Sequence, residues 1–271
     1  MMKNNSAIAI TDLKKDYGDV TALKGIDLHI PKGSFFGLLG PNGAGKTTTI
    51  NIITGLVKIT SGTVQVMGYD VINEFRQSRK QIGLSPQEFN FDHFFTIRHM
   101  LSLQAGYYGF SKNESLIRAD LMLDHFGLTE KADSTPRQLS GGMKRRLQIA
   151  KSLVHDPPII ILDEPTAGVD LELRHMLWNY LRQINKEGKT ILLTTHYIDE
   201  AEKLCEEAAI IDEGEIITKG KTQELINQVG GNIIEIKIQN WNKNIQLDDW
   251  KYTHNDGHLH VQSNQPEKDM A

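Results

Sequence analysis

"GPNGAGKT", residues 40–47, decides the fold. It fills every position of G-x-x-x-x-G-K-[ST], and it stands where such a loop must stand. An apolar run, "SFFGLLG" at 34–40, leads in, and "GKTTTINIITGL" at 45–56 leaves with helical spacing of Ile50, Ile53 and Leu56. Gly40, Gly43 and Gly45 allow backbone N–H groups to curl around phosphate oxygens, with Pro41, Asn42 and Ala44 completing the loop. Thr48 joins the loop in binding ATP, and the N-terminal dipole of the helix that opens here favours an anion. Lys46 is a point charge for β and γ phosphates, and the Thr47 hydroxyl is a ligand for Mg²⁺. The stretch therefore implies that a nucleoside triphosphate, ATP, binds here.

Further along, "PPIIILDEP" at 157–165 is an apolar strand ending in two acids. An acid at that point lies at the carboxyl edge of a parallel sheet, where α/β proteins hold ligands. Asp163 is placed to hold Mg²⁺. Glu164, one residue further out, suits a base that polarises an attacking water.

A second glycine loop, "LSGGMKRR" at 139–146, precedes another helix. Ser140 suits the cap, and the N–H groups of Gly141 and Gly142 face outward with the positive dipole end behind them. One loop already cradles a nucleotide, so a second phosphate-seeking surface suggests a nucleotide held between two copies. The basic run Lys144, Arg145 and Arg146 either supports that helix beneath bound phosphates or is a plain solvated face.

Around these motifs the chain alternates. Short β-rich runs open it ("AIAITDL", "ALKGIDLHI"), "GTVQVMG" and "QIGLSP" follow, and residues from about 96 to 153 are mostly helical. "TILLTTH" resumes the strands after the helix "ELRHMLWNYLRQINKEG", and "EAAIIDEGEIITKG" turns as a hairpin at Glu213 and Gly214. The expected fold is α/β: a phosphate-loop NTPase core with a mostly parallel sheet, an N-terminal antiparallel β subdomain and an inserted α-helical subdomain at about 90–152. Residues 1–229 form the nucleotide-binding domain on this reading. A short C-terminal tail, 230–271, carries some β structure, including a hairpin candidate "HNDGHLH". Its histidines, His254, His258 and His260, span that turn without a cysteine and do not read as a metal site.

Composition bounds the rest. The 271 residues carry a formal net charge of −4, so no overall basic field draws nucleic acid. A single cysteine, Cys205, excludes an internal disulfide and fits a reducing compartment as a buried, inert thiol in a helical stretch. Neither a secretory signal nor a membrane-length apolar run is present, which predicts a cytosolic protein that reaches a membrane only through a partner.

The combination of "LSGG" between a complete phosphate loop and "IIILDEPTAGVD", followed by "LLTTH", resembles the nucleotide-binding domain of the ATP-binding cassette (ABC) family. The resemblance covers roughly residues 8–229. It implies two domains dimerised head to tail, with Ser140, Gly141 and Gly142 of one closing over the ATP of the other. Tyr17 in "KKDYG" resembles the aromatic that stacks on adenine, although an ordinary edge-strand tyrosine would look the same. Gln87 in "SPQEF" resembles the glutamine that senses Mg²⁺ and the γ-phosphate, Asp170 in "AGVD" the acid that passes between dimer halves, and His196 the histidine that contacts the γ-phosphate and positions water. Met143 departs from the common Gln without touching the phosphate contacts.

"LSGGMKRR" and "PTAGVD" further resemble bacterial exporter ATPases whose membrane permease is a separate polypeptide. The expected protein is thus an ATPase, peripheral on the cytoplasmic face of the inner or plasma membrane. The resemblance also implies that "FNFDHFFT" at 89–96 borders a groove gripping a permease helix, and its four phenylalanines serve either that groove or the core. The alternative is a soluble, non-transport ABC ATPase acting on nucleic acid or ribosomes. Sustained heptads, a second cassette and a basic balance, which such proteins favour, are missing. A GTPase is disfavoured because "NKEG" has Gly188 where the base-reading Asp belongs.

Overall fold

The structure is a computed structural model and describes residues 5–166, 169, 171–229, 232–237, 252–255 and 258–263. Asp170 lies outside the described residues.

Six strands make the central sheet: β3 (Phe35–Leu39), β6 (Ile82–Ser85), β7 (Ile159–Asp163), β8 (Thr190–Thr195), β9 (Glu207–Asp212) and β10 (Glu215–Lys221), in the order β10-β9-β3-β8-β7-β6. All neighbours run parallel except the β9–β10 hairpin. Strands buried on both faces must be apolar throughout, and β3 and β7 are buried at every residue. Successive side chains point to opposite faces. Ile159 and Ile161 accordingly enter one core and Ile160 and Leu162 the other.

The first core is shared with an antiparallel sheet, β2-β1-β4-β5, built from β1 (Ser6–Tyr17), β2 (Val20–Pro31), β4 (Ser61–Val66) and β5 (Tyr69–Asp70). It also takes Ile50, Ile52 and Ile53 of α1 (Lys46–Ile53). Helix α1 stops before Leu56, which is largely exposed, so the expected helical stripe ends at Ile53. A short helix that periodicity did not reveal, α2 (Phe75–Lys80), follows β5.

The second core joins the sheet to α3 (Ile97–Tyr107), α4 (Lys112–His125), α5 (Gly141–Leu153) and α6 (Leu171–Lys186). Ser111 caps α4 in a reciprocal capping box with Glu114, and Ser140 caps α5 through the Met143 N–H. Helices α7 (Ile198–Leu204) and α8 (Thr222–Val229) close the order. Cys205 stands just past α7, buried, and burial pushes its thiol far above the usual range.

In the tail, β11 (Asn232–Lys237), β12 (Tyr252–Asn255) and β13 (His258–Ser263) form a three-stranded antiparallel sheet. Asn255 pairs with His258, which is the expected hairpin. The side chains of His254, His258 and His260 are not among those described.

Candidate functional site

Residues 40–47 connect the carboxyl end of β3 to α1. Gly40 is obligatory for space rather than for φ. A Cβ there would stand 2.1 Å from the Ile211 carbonyl oxygen, so the loop passes directly over β9. Gly45 caps α1 with φ 109°, a conformation side chains rarely adopt. The free N–H groups of the first helical turn then surround the loop mouth. Lys46 is 5% exposed, and its Nζ donates to the carbonyls of Gly40 (2.7 Å) and Pro41 (2.9 Å), which lays the ammonium across the loop.

Asp163 ends β7 beside this loop. Its Oδ2 accepts from the Thr47 hydroxyl at 3.1 Å, and its Oδ1 accepts from the buried Thr194 hydroxyl of β8. Glu164 follows with φ 48°, a strained position for a non-glycine residue. Its N–H is held by both Thr194 O (3.1 Å) and Thr194 Oγ1 (3.2 Å). The strain turns the carboxylate back over the loop. Glu164 Oε1 lies 3.7 Å from Lys46 Nζ and 3.2 Å from His196 Nδ1, and Oε2 accepts from Gln87 Nε2 at 3.3 Å.

One buried carboxylate thus gathers Lys46, Gln87 and His196, with Thr47 and Asp163 adjoining. These six were singled out from sequence, and the structure brings them together. Tyr17 ends β1 half exposed, with Lys15 Nζ 4.5 Å above its ring. Ser140 and Gly141 lie exposed at the start of α5, and a Cβ on Gly141 would meet open space. Among the described residues no hydrogen bond or ion pair ties Tyr17 or residues 140–142 to the Glu164 cluster.

A family model described as "ABC transporter" matches residues 23–167. The chain belongs to the ABC transporter family. It is the ATP-binding subunit of such a transporter and an ATPase. A protein named Nod factor export ATP-binding protein I from Paraburkholderia xenovorans (strain LB400) is 42% identical over 232 residues, 85% of this chain and 76% of its own. The protein of that name from Ralstonia nicotianae is 41% identical, over 84% and 72%. A solved dimeric bacterial ABC transporter cassette superposes with a TM-score of 0.74 at 32% identity, over 79% of this chain and 98% of that one. A cassette solved as a dimer bound to ADP and Pi gives 0.74 at 30% identity, with the same two shares.

Arg145 and Arg146 of the basic run that opens α5 are not a plain solvated face. Arg145 is buried, donates to Pro86 O at 3.3 Å and to Gln148 Oε1 at 3.2 Å, and lies over the Phe89 ring. Burial lowers its guanidinium, against the pull of Asp163 and Glu164. Arg146 donates to Phe126 O at 3.0 Å. These cations fasten α5 to its neighbours. The four phenylalanines divide: Phe91 enters the core, whereas Phe89, Phe94 and Phe95 face outward.

Sequence reasoning passed over Thr194 and Glu200. The signal for Thr194 was a hydroxyl following the apolar run Ile191, Leu192 and Leu193 in a buried strand. Buried Glu200 of α7 accepts from Thr166 Oγ1 (2.9 Å) and Trp178 Nε1 (3.2 Å), anchoring the chain just after Glu164 to the helix that follows His196.

Proposed function

We propose that this cassette energises export through a separate membrane permease, with two copies closing head to tail on ATP. The observation that carries the hydrolytic half is the Glu164 carboxylate, buried and within reach of Lys46, Gln87 and His196. The loop of residues 40–48 holds the phosphates, with Lys46 against their charge, and Tyr17 stacks on the base. Glu164 takes a proton from water as the oxygen attacks the γ-phosphorus, and ADP leaves with phosphate. Gln87 and His196 hold that water and the γ-phosphate in line. Ser140, Gly141 and Gly142 of the opposing copy supply the remaining donors, and Asp170 passes between the halves.

Mg²⁺ fits the donor set beside the loop. The Thr47 hydroxyl and the Asp163 carboxylate are hard oxygen ligands already 3.1 Å apart, and the Gln87 side chain reaches the adjoining Glu164. When bound, it neutralises charge on the β and γ phosphates.

Export is the work that the names of the curated relatives print. No helix among the described residues is long and apolar enough to cross a membrane, which agrees with a peripheral place on the cytoplasmic face. A groove of about 400 Å³, lined in part by Leu56, Arg79, Phe91, Gln104, Tyr108 and His155, suits a short cytoplasmic helix of the permease. Beside it Leu103 and Tyr107, four residues apart in α3, are exposed, as is Phe95 just before the helix. The cassette spans residues 1–229 on this reading, with the tail appended.

The test is a pull-down with tagged Glu164→Gln and ATP from detergent-solubilised membranes. A stoichiometric polytopic membrane protein is expected. Recovery of only ribosomes, nucleic acid or soluble proteins would contradict the reading.

A further inference from the structure

The backbone that carries Gln87 is gripped from behind by a single amide. Gln148 lies in α5 at 4% exposure, and its Nε2 donates to Pro86 O and to Glu88 O, both at 2.7 Å. Those two carbonyls flank Gln87, whose own Nε2 reaches Glu164. Both hydrogens of the Gln148 amide are therefore used. Its Oε1 is also used, accepting from Arg145 Nη1 at 3.2 Å. Arg145 adds its own bond to Pro86 O.

A buried amide with every hydrogen-bonding atom engaged specifies one arrangement, because breaking any of its bonds strands a desolvated group. Two short bonds to carbonyls on either side of one residue fix both the position and the tilt of the segment, where a single bond would leave a hinge. The other end of this link is Ser140, the N-cap of α5, eight residues or about 12 Å of helix rise from Gln148. Hydrogen-bonded helix joins the two ends, so a displacement at Ser140 is delivered to residues 86–88.

We propose that Gln148 is a positioning residue that couples the two ATP sites of the dimer. It ties the loop a chain offers to its partner's ATP to the Gln87–Glu164 pair in the chain's own site. This rests on the head-to-tail reading above. When residues 140–142 engage the opposing phosphates, α5 carries residues 86–88 with it and Gln87 takes its working place. The two sites then hydrolyse cooperatively.

The experiment is a double-mutant cycle in the full chain with Gln148→Leu, Gln87→Ala and the pair. ATPase rate against ATP concentration, affinity of the monomer for a fluorescent ATP analogue, and hydrogen exchange at residues 87–89 are measured for each. Wild type should be cooperative, with a Hill coefficient above 1. Gln148→Leu should keep nucleotide affinity within about twofold, lose roughly tenfold in kcat, and bring the Hill coefficient to about 1, the scale expected when a reacting group is misplaced. Exchange at 87–89 should rise. On the Gln87→Ala background the same change should cost less than about twofold, because Gln148 acts through Gln87.

A lower Tm with unchanged kcat and Hill coefficient, a non-cooperative wild type, or additive effects would overturn the proposal. Should Gln148→Leu not fold, Gln148→Glu keeps the volume and the Arg145 acceptor while removing both donors, and carries the same expectations. If Gln87→Ala itself leaves turnover unchanged, the assigned role of Gln87 falls. If Gln87→Ala is slow and Gln148→Leu is not, only the coupling falls.

Discussion

Thr194→Val is the sharpest test of how the acidic pair is held. The Thr194 hydroxyl is fully buried, donates to Asp163 Oδ1 and accepts from the Glu164 N–H at 3.2 Å. Valine keeps the shape and removes both bonds. The Glu164 N–H retains the Thr194 carbonyl at 3.1 Å, so its loss is small. Asp163 retains only Thr47, and that bond is to the other oxygen. A hydrogen bond to a buried charged group is worth about 1.5–3 kcal/mol. In a chain of this size about 2 kcal/mol lowers Tm by roughly 4–8 °C. Thr195→Val is the matched control, because its hydroxyl is equally buried but accepts only from the neutral Tyr197 N–H at 3.0 Å. That loss should be about 1 kcal/mol and half the shift. Differential scanning calorimetry of nucleotide-free protein reads both. Equal shifts for the two variants, or a Thr194→Val Tm within a degree of wild type, would refute the charge-assisted account.

His155 stacks on Tyr108 with ring centroids 3.5 Å apart and is buried, which depresses its pKa to about 4 despite its bond to the Ile82 carbonyl and the nearby Asp156. The unfolded chain binds the extra proton between about pH 6.5 and 4, so the stability this residue confers is complete above 6.5 and lost on acidification, by about 2 kcal/mol at pH 5. His155→Gln should remove that increment from urea midpoints compared at pH 7.5 and 5, and an undiminished acid sensitivity would contradict it. Ser140→Arg should leave monomer ATP affinity within about twofold and cut hydrolysis at least roughly 100-fold, as for loss of transition-state donors; equal loss of binding would place Ser140 in its own chain's site. Gly40→Ala forces a Cβ against the Ile211 carbonyl and should cost about 2–3 kcal/mol, whereas Gly220→Ala, with nothing within 4 Å, should stay within about 0.5 kcal/mol in the same denaturation assay.

Much of the site was legible because its chemistry is local in sequence. A loop between an apolar strand and a helix fixes where Lys46 and Thr47 point, and a strand ending in Asp163 and Glu164 must deliver both acids to the same sheet edge. The parts that escaped depend on which strands become neighbours. Thr194 matters only because β8 lies beside β7, and the steric need for glycine at position 40 arises only because β9 passes beneath it. The buried roles of Arg145 and Gln148 exist only because the fold lays Pro86 and Glu88 against α5. Leu56 shows the opposite failure. The apolar spacing was right, but Gly55 at φ 72° had already left the helix.

The central claim is that ATP is held between two copies and hydrolysed by Glu164. Light scattering on Glu164→Gln, with and without ATP, tests it most directly, with turnover measured on the same sample. The account predicts a shift from monomer to twice the mass on adding ATP, abolished by a second Ser140→Arg change, and turnover at least roughly 100-fold below wild type. A Glu164→Gln protein that stays monomeric in ATP and hydrolyses it at the wild-type rate would contradict the account.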